Sequence, residues 1–272
     1  MSKQKDLKIY ISADIEGITG VVAWDETEEG KPDFNYFRKV MAQEVNAGIE
    51  AAFDKGAQEV VVRDAHGHAR NILPSELHRK AKLIRSWSNG PLGMMEGIDR
   101  DYNAVMFIGY HAKAGTPNSP LKHTYSGQIF DLCVNDVSLP EAGWNALIAG
   151  YYKIPLIFAS GDKALCTQVK SLIDTVITVP VKEGIGKACL TLHPEEAQAL
   201  IKKGVSEAVD KFDQMKPFTL TAPYLLKITF SDESVAWRAK WYPGAQLKNE
   251  RTLFFESKDF FDLLRFFHFV VA

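Results

Sequence analysis

Cysteine is scarce in this chain of 272 residues, which has only Cys133, Cys166 and Cys189. An odd number at wide spacing suits neither a disulfide framework nor a Cys-x-x-Cys metal knuckle, so these thiols are read as packing residues. Long apolar runs are missing as well: no stretch approaches the roughly 18 to 20 residues that a membrane span requires. The opening segment MSKQKDLKIYISADIEG turns acidic before any signal-peptide core develops, which points to a cytoplasmic protein with no membrane partner. Nor is there an excess of charge of one sign. With 32 basic against 34 acidic residues the net charge is −2, and no run of lysines or arginines offers the footprint that nucleic acid needs. Internal repeats, low-complexity tracts and a Gly/Ser/Pro-rich linker are all lacking, so nothing divides the chain cleanly.

What is present is an ordinary globular composition, 46% apolar and 24% charged, on a chain long enough to bury a substantial core. LKIYISA (7–13) and EVVVRDA (59–65) read as covered strands, because β-branched residues fit a pleated surface packed on both faces. Between them Phe37, Val40, Met41, Val45, Gly48, Ile49, Ala52 and Phe53 recur at spacings of three and four, a helical stripe ending near Lys55-Gly56. AKLIRS (81–86), AVMFIGY (104–110) and PLIFASG (155–161) continue the pattern. The fold class expected is α/β, a mainly parallel sheet flanked by helices. IFDLCV and VSL flank Asn135-Asp136, a hairpin insertion, and a helix follows from about Glu141 to Tyr152. Beyond residue 190 the texture changes to a charged amphipathic helix, two strands (YLLKITF, TLFFES) and an apolar closing helix. The expected division is therefore 1–190, an α/β domain, and 191–272, a smaller C-terminal α+β portion that could be continuous with it. The closing helix, with Phe260, Phe261, Leu264, Phe267 and Val270, is either core or an oligomer contact, and core is favoured.

In open parallel sheets, ligands bind beyond the carboxyl ends of the strands. The first strand ends at Asp14 and Glu16, the second runs into His66, and the fourth into His111. Each alone has a bland explanation. Asp14 and Glu16 could cap a turn, and a lone histidine is usually a hydrogen-bonded loop or core residue. Glu141 could close a capping box with Ser138. Independent structural reasons do not, however, place a ligand-type residue at the end of strand after strand. In an extended strand end, residues 14 and 16 point the same way while Ile15 turns into the core, and Gly17 lets the chain leave without crowding. Asp14, Glu16, His66, His111 and Glu141 supply three carboxylates and two imidazoles, enough for two divalent ions sharing one carboxylate, with open positions for water and substrate. A set without thiolates suits zinc, and tolerates manganese or cobalt.

The segments SADIEG, RDAHGHARN, GYHAKAGTP, the downstream His123 and PEAGWNALIAGYY together resemble the M55 family of D-aminopeptidases, over nearly the whole chain. The resemblance implies a two-zinc site in which Asp14 bridges the ions, Glu16, His66, His111 and Glu141 complete the ligand set, and His123 is a catalytic histidine that binds no metal. It also implies a homo-oligomer, a decamer of two pentameric rings. His68 matches nothing in the pattern and reads as a loop histidine. The implied reaction is hydrolysis of the N-terminal, D-configured residue of a short peptide or amino acid amide by metal-activated water. His123 would serve the leaving amine, the oxyanion or the nucleophilic step. Asp64 either orients His66 or closes a strand-end hydrogen bond. The rival readings are a two-metal phosphoesterase, for which Arg63 and Arg70 are the nearby cations, and a non-catalytic, metal-dependent ring-forming binding protein.

Overall fold

A computed structural model describes residues 6–271. The described residues build two sheets from twelve strands: β1 (Lys8–Ala13), β2 (Glu59–Asp64), β3 (Lys82–Ile84), β4 (Ala104–Tyr110), β5 (Ile129–Val134), β6 (Val137–Ser138), β7 (Leu156–Asp162), β8 (Ile177–Ile185), β9 (Ala188–Thr191), β10 (Tyr224–Phe230), β11 (Gln246–Asn249) and β12 (Thr252–Ser257). Six α-helices accompany them: α1 (Phe34–Asp54), α2 (Glu141–Tyr151), α3 (Lys163–Leu172), α4 (Pro194–Lys211), α5 (Glu233–Ala239) and α6 (Phe260–Val271).

The larger sheet has the order β3-β2-β1-β4-β7-β8-β9, parallel except for β9, which returns antiparallel on β8. Its strands alternate between two apolar layers, as a period of two requires. Ile9, Ile11 and Ala13 of β1 face one way, joining Val60, Val62, Met106 and Ile108 under α1 and α4. Tyr10, Val61, Val105 and Phe107 face the other, where α2 and α6 close the layer. The helical stripe of α1 is buried as its spacing predicts, Val40, Met41, Val45, Ile49 and Ala52 all lying in the interior.

The smaller sheet, β11-β12-β10-β5-β6, is antiparallel throughout. Asn135 and Asp136, at φ 48° and 63°, form the two-residue left-handed turn expected between β5 and β6. This hairpin does not hang alone. β5 pairs with β10, so residues 129–138 and the C-terminal strands share one sheet. α6 covers it and buries Phe260, Leu263, Leu264, Phe266, Phe267 and Val270, while Phe261 is half-buried and Phe269 exposed. The closing helix is thus core within a single chain. Cys133 and Cys166 are buried in packing roles, whereas Cys189 on β9 is half-exposed. No helix among the described residues is long and apolar enough to cross a membrane.

Candidate metal centre

β2, β1 and β4 are adjacent and parallel, so their carboxyl ends open on one edge. The chain leaving β1 stays close to its neighbours, with Asp14 N–H donating to Ile108 O at 2.9 Å and Gly17 N–H to Gly109 O at 2.8 Å. A Cβ at Gly17 would lie 1.8 Å from the Tyr110 carbonyl oxygen, which is why glycine stands there. Asp14 and Glu16 are thereby held at the sheet edge, both about 2% exposed.

His66 follows β2 and His111 follows β4 directly. Glu141 opens α2, whose N-cap is Pro140 with no side-chain cap. The capping box is not formed. Ser138 instead donates to Asp131 and receives a hydrogen bond from Lys113, which leaves Glu141 free to turn inward. His123 comes from the loop between β4 and β5. All six residues meet in one cluster, with Asp14, Glu16, His111 and Glu141 buried and His66 and His123 partly exposed. His66 Nδ1 lies 3.3 Å from Asp14 Oδ1 and 2.9 Å from Glu16 Oε2. His111 Nε2 lies 3.6 Å from Asp14 Oδ2 and 3.2 Å from Glu141 Oε1. His123 Nε2 lies 3.8 Å from Glu16 Oε1 and 3.4 Å from Glu141 Oε1, with its ring stacked on His111 at 4.0 Å.

Each imidazole has its other nitrogen on a backbone carbonyl: His66 Nε2 on Thr27 O at 2.9 Å, His111 Nδ1 on Ala112 O at 3.0 Å, His123 Nδ1 on Leu121 O at 2.9 Å. A carbonyl oxygen only accepts, so those nitrogens carry the hydrogen. In the neutral rings, the lone pairs of His66 Nδ1, His111 Nε2 and His123 Nε2 then face carboxylate oxygens. Lone pair against lone pair is repulsive unless a positive charge intervenes. Glu16 Oε2 and His111 Nε2 are buried with no hydrogen-bond partner among the described residues, as expected of atoms arranged for a cation. Three overlapping donor groups, Asp14/Glu16/His66, Asp14/His111/Glu141 and Glu16/His111/His123, each hold their ligand atoms within 4.8 Å of one another. The donor set fits divalent ions of the zinc class.

Protonation follows the same logic. Burial, then the neighbouring Glu16 charge, pushes Asp14 up to about 8. Burial works against charge on His111 and His66, but Glu141 carries His111 to about 10, and Glu16 with Asp14 carries His66 well above its ordinary range. Burial opposes ionisation of Glu16 and Glu141 too, yet their imidazole neighbours bring both below the usual carboxylate range. Burial and the His111 charge lower His123.

Asp64 does not orient the His66 ring. Its oxygens accept from Asn71 Nδ2 at 2.7 Å and Ile72 N–H at 2.8 Å, bracing the loop, and the Thr27 carbonyl serves the imidazole. His68 is exposed and faces Glu29. Arg63 is buried under Trp87 and donates to Ser86 O, while Arg70 pairs with Glu29, so neither arginine lines the cavity over the cluster. That cavity, about 400 Å³, has a largely apolar wall that includes Trp87, Leu92, Met94, Tyr125, Trp144 and Phe267. Periodicity shows Trp144 and Phe267 as core candidates, but gives no sign that their faces border a cavity.

An open α/β sheet carrying carboxylates and imidazoles at its carboxyl edge, beside a largely apolar cavity, defines the class: an α/β protein whose donor set fits divalent metal next to a cavity of small-ligand size. Comparison narrows this to a family. The D-aminopeptidase family, peptidase M55, matches residues 7–269, and this chain belongs to it. The D-aminopeptidase of Bacillus subtilis (strain 168) is 33% identical over 255 residues, 93% of this chain and 92% of that protein. The solved structure of the zinc-dependent D-aminopeptidase DppA from Bacillus subtilis, described as a self-compartmentalizing protease, superposes with a TM-score of 0.93 at 31% identity, covering 97% of each chain.

Proposed function

We propose that the chain is a zinc-dependent aminopeptidase that removes the N-terminal, D-configured residue from short peptides and amino acid amides, with two ions bound per subunit. The observation that carries this reading is the pair of donor groups, Asp14/Glu16/His66 and Asp14/His111/Glu141, that share Asp14 at the end of β1 beside the largely apolar cavity. In this reading Asp14, Glu16 and His66 would hold one ion, and Asp14, His111 and Glu141 would hold the other. Bound there, such ions polarise a carbonyl and make water nucleophilic near neutral pH. The protein does the rest. Met94, Trp144 and Phe267 line the cavity and receive an apolar side chain from the N-terminal residue. His123, its Nδ1–H tied to Leu121 O, keeps Nε2 free and neutral, able to take a proton from the attacking water and hand it to the leaving amine. The description of DppA as self-compartmentalizing supports a homo-oligomer, and a decamer of two pentameric rings is the arrangement proposed.

A panel of D- and L-configured aminoacyl amides and dipeptides, with p-nitrophenyl phosphate alongside, tests the reading. The protein is assayed as purified, after chelation, and after return of zinc, manganese or cobalt. Expected is chelator-sensitive cleavage of D-substrates, strongest with apolar N-terminal side chains, and no phosphatase activity. Cleavage indifferent to chelation would sink the metal-dependent reading. His66→Ala and His111→Ala proteins that keep full metal content would sink the ligand assignment.

A further inference from the structure

Tyr125, two residues beyond His123, has φ +61°, a left-handed conformation that is costly for a bulky side chain. Around it Ser126 N–H donates to Thr124 O at 2.7 Å, closing a γ-turn of the rare, strained kind with positive central φ. Two bonds to α2 hold this turn. The Tyr125 backbone N–H donates to Glu141 Oε1 at 2.5 Å, the same oxygen that lies 3.2 Å from His111 Nε2 and 3.4 Å from His123 Nε2. The phenolic O–H donates to Asn145 Oδ1. Glu141 and Asn145 stand four residues apart on one face of α2, so both ends of Tyr125 grip a single rigid element.

The bonds continue in one direction. The Asn145 amide donates to the Tyr110 hydroxyl at 3.0 Å. Ser12 Oγ donates to Met94 O at 2.9 Å, so it must accept from Tyr110, 2.6 Å away. The chain Tyr125, Asn145, Tyr110, Ser12 thus ties the loop of His123 to α2, β4 and β1, the elements that carry Glu141, His111 and Asp14. The Tyr125 ring also meets Phe267 edge-on at 4.9 Å.

We propose that Tyr125 is a positioning residue whose hydroxyl, locked on Asn145, holds the strained turn that sets Glu141 Oε1 and the His123 ring in register. This rests on the reading of His123 as the proton-transferring residue. Without the hydroxyl bond the turn relaxes toward ordinary backbone angles, its N–H leaves Glu141, and His123 loses its alignment over His111. The ligands themselves remain, so the ions stay bound and the loss falls on turnover.

The test is Tyr125→Phe, which keeps ring, backbone and fold, beside Asn145→Leu and the double variant. Expected for Tyr125→Phe is a kcat lower by about tenfold or more with KM changed by less than about twofold, since misplacing a reacting group acts on the chemical step. Zinc content should be unchanged. The visible spectrum of the cobalt-loaded protein, which reports the surroundings of Glu141, should shift in both single variants. The double variant should be no worse than the poorer single one, because both changes break the same latch. A Tyr125→Phe protein with wild-type kcat and an unshifted cobalt spectrum overturns the proposal, as do two losses that simply multiply. Failure of the hydrolytic reading looks different: wild-type protein inactive on every amide while the cobalt spectrum still responds to the variants.

Discussion

At the scale of single residues, the site is governed by charge that must be supplied from outside. His66, His111 and His123 each commit one ring nitrogen to a carbonyl and aim the other at carboxylates. In the metal-free protein protons take up that role, with Asp14 pushed to about 8 by burial and Glu16, and His111 to about 10 where Glu141 overcomes burial. Cation binding must displace those protons. Zinc titrated into metal-free protein at neutral pH should therefore release protons, and affinity should rise with pH and fall on acidification. Calorimetry in buffers of different ionisation heat reads this directly, and a binding heat independent of buffer would refute it. The candidate ligands were legible as residue types at strand ends. Their tautomers were not, because Thr27 O and Leu121 O reach the rings only through the folded loops.

At the scale of elements, α1 carries a buried acid beneath the loop that follows β1. Glu44 Oε1 accepts from Thr19 N–H at 2.9 Å, and Oε2 has no hydrogen-bond partner among the described residues. Nearby, buried Lys182 donates to the Glu16 and Val21 carbonyls, pinning the same loop from β8. Burial pushes Glu44 from its ordinary 4.5 up to about 8, against the Thr19 bond and the Lys182 charge. The sign follows from proton count. Between pH 4.5 and 8 the folded state holds a proton that the unfolded state releases, so the contribution of Glu44 to stability declines as pH rises, by at most about 1.4 kcal/mol per unit. Glu44→Gln keeps the acceptor for Thr19 and removes this slope. Urea unfolding at pH 5 and pH 8 should show the variant gaining on wild type at the higher pH, and an equal difference at both would exclude the account.

Elements differed in how clearly the sequence announced them. β4 matches AVMFIGY residue for residue, and Asn135-Asp136 marked its hairpin because few residues other than glycine accept positive φ. β8, ITVPVKEGI, carries Pro180 and Gly184 and is only partly covered, so no clean alternation marks it. β9, β11 and α5 are short and lie largely at the surface, where burial imposes little pattern.

At the scale of the whole molecule, the proposed assembly has a direct check. Sedimentation or light scattering should return a multiple of the 30.4 kDa chain mass, and a monomer at micromolar concentration would remove the oligomer from the reading. Within one chain, two apolar layers sandwich the parallel sheet, and the second is shared with the antiparallel sheet. That sharing joins β5 to β10 across about ninety residues of sequence. Local pattern carries no information about such a partner, since any half-buried strand can pair with any other of matching face.

The sequence by itself determined the parallel α/β frame and the residue types at its strand ends, because periodicity and β-branching act locally and the ligand rule for open sheets needs only strand direction. Only the tertiary structure decided that Glu141 turns inward rather than capping its helix, that Thr27 rather than Asp64 braces His66, and that Tyr125 is held in a strained turn by α2. Each of these depends on which groups remain free once distant segments have packed, a property of the fold that no local stretch of residues contains.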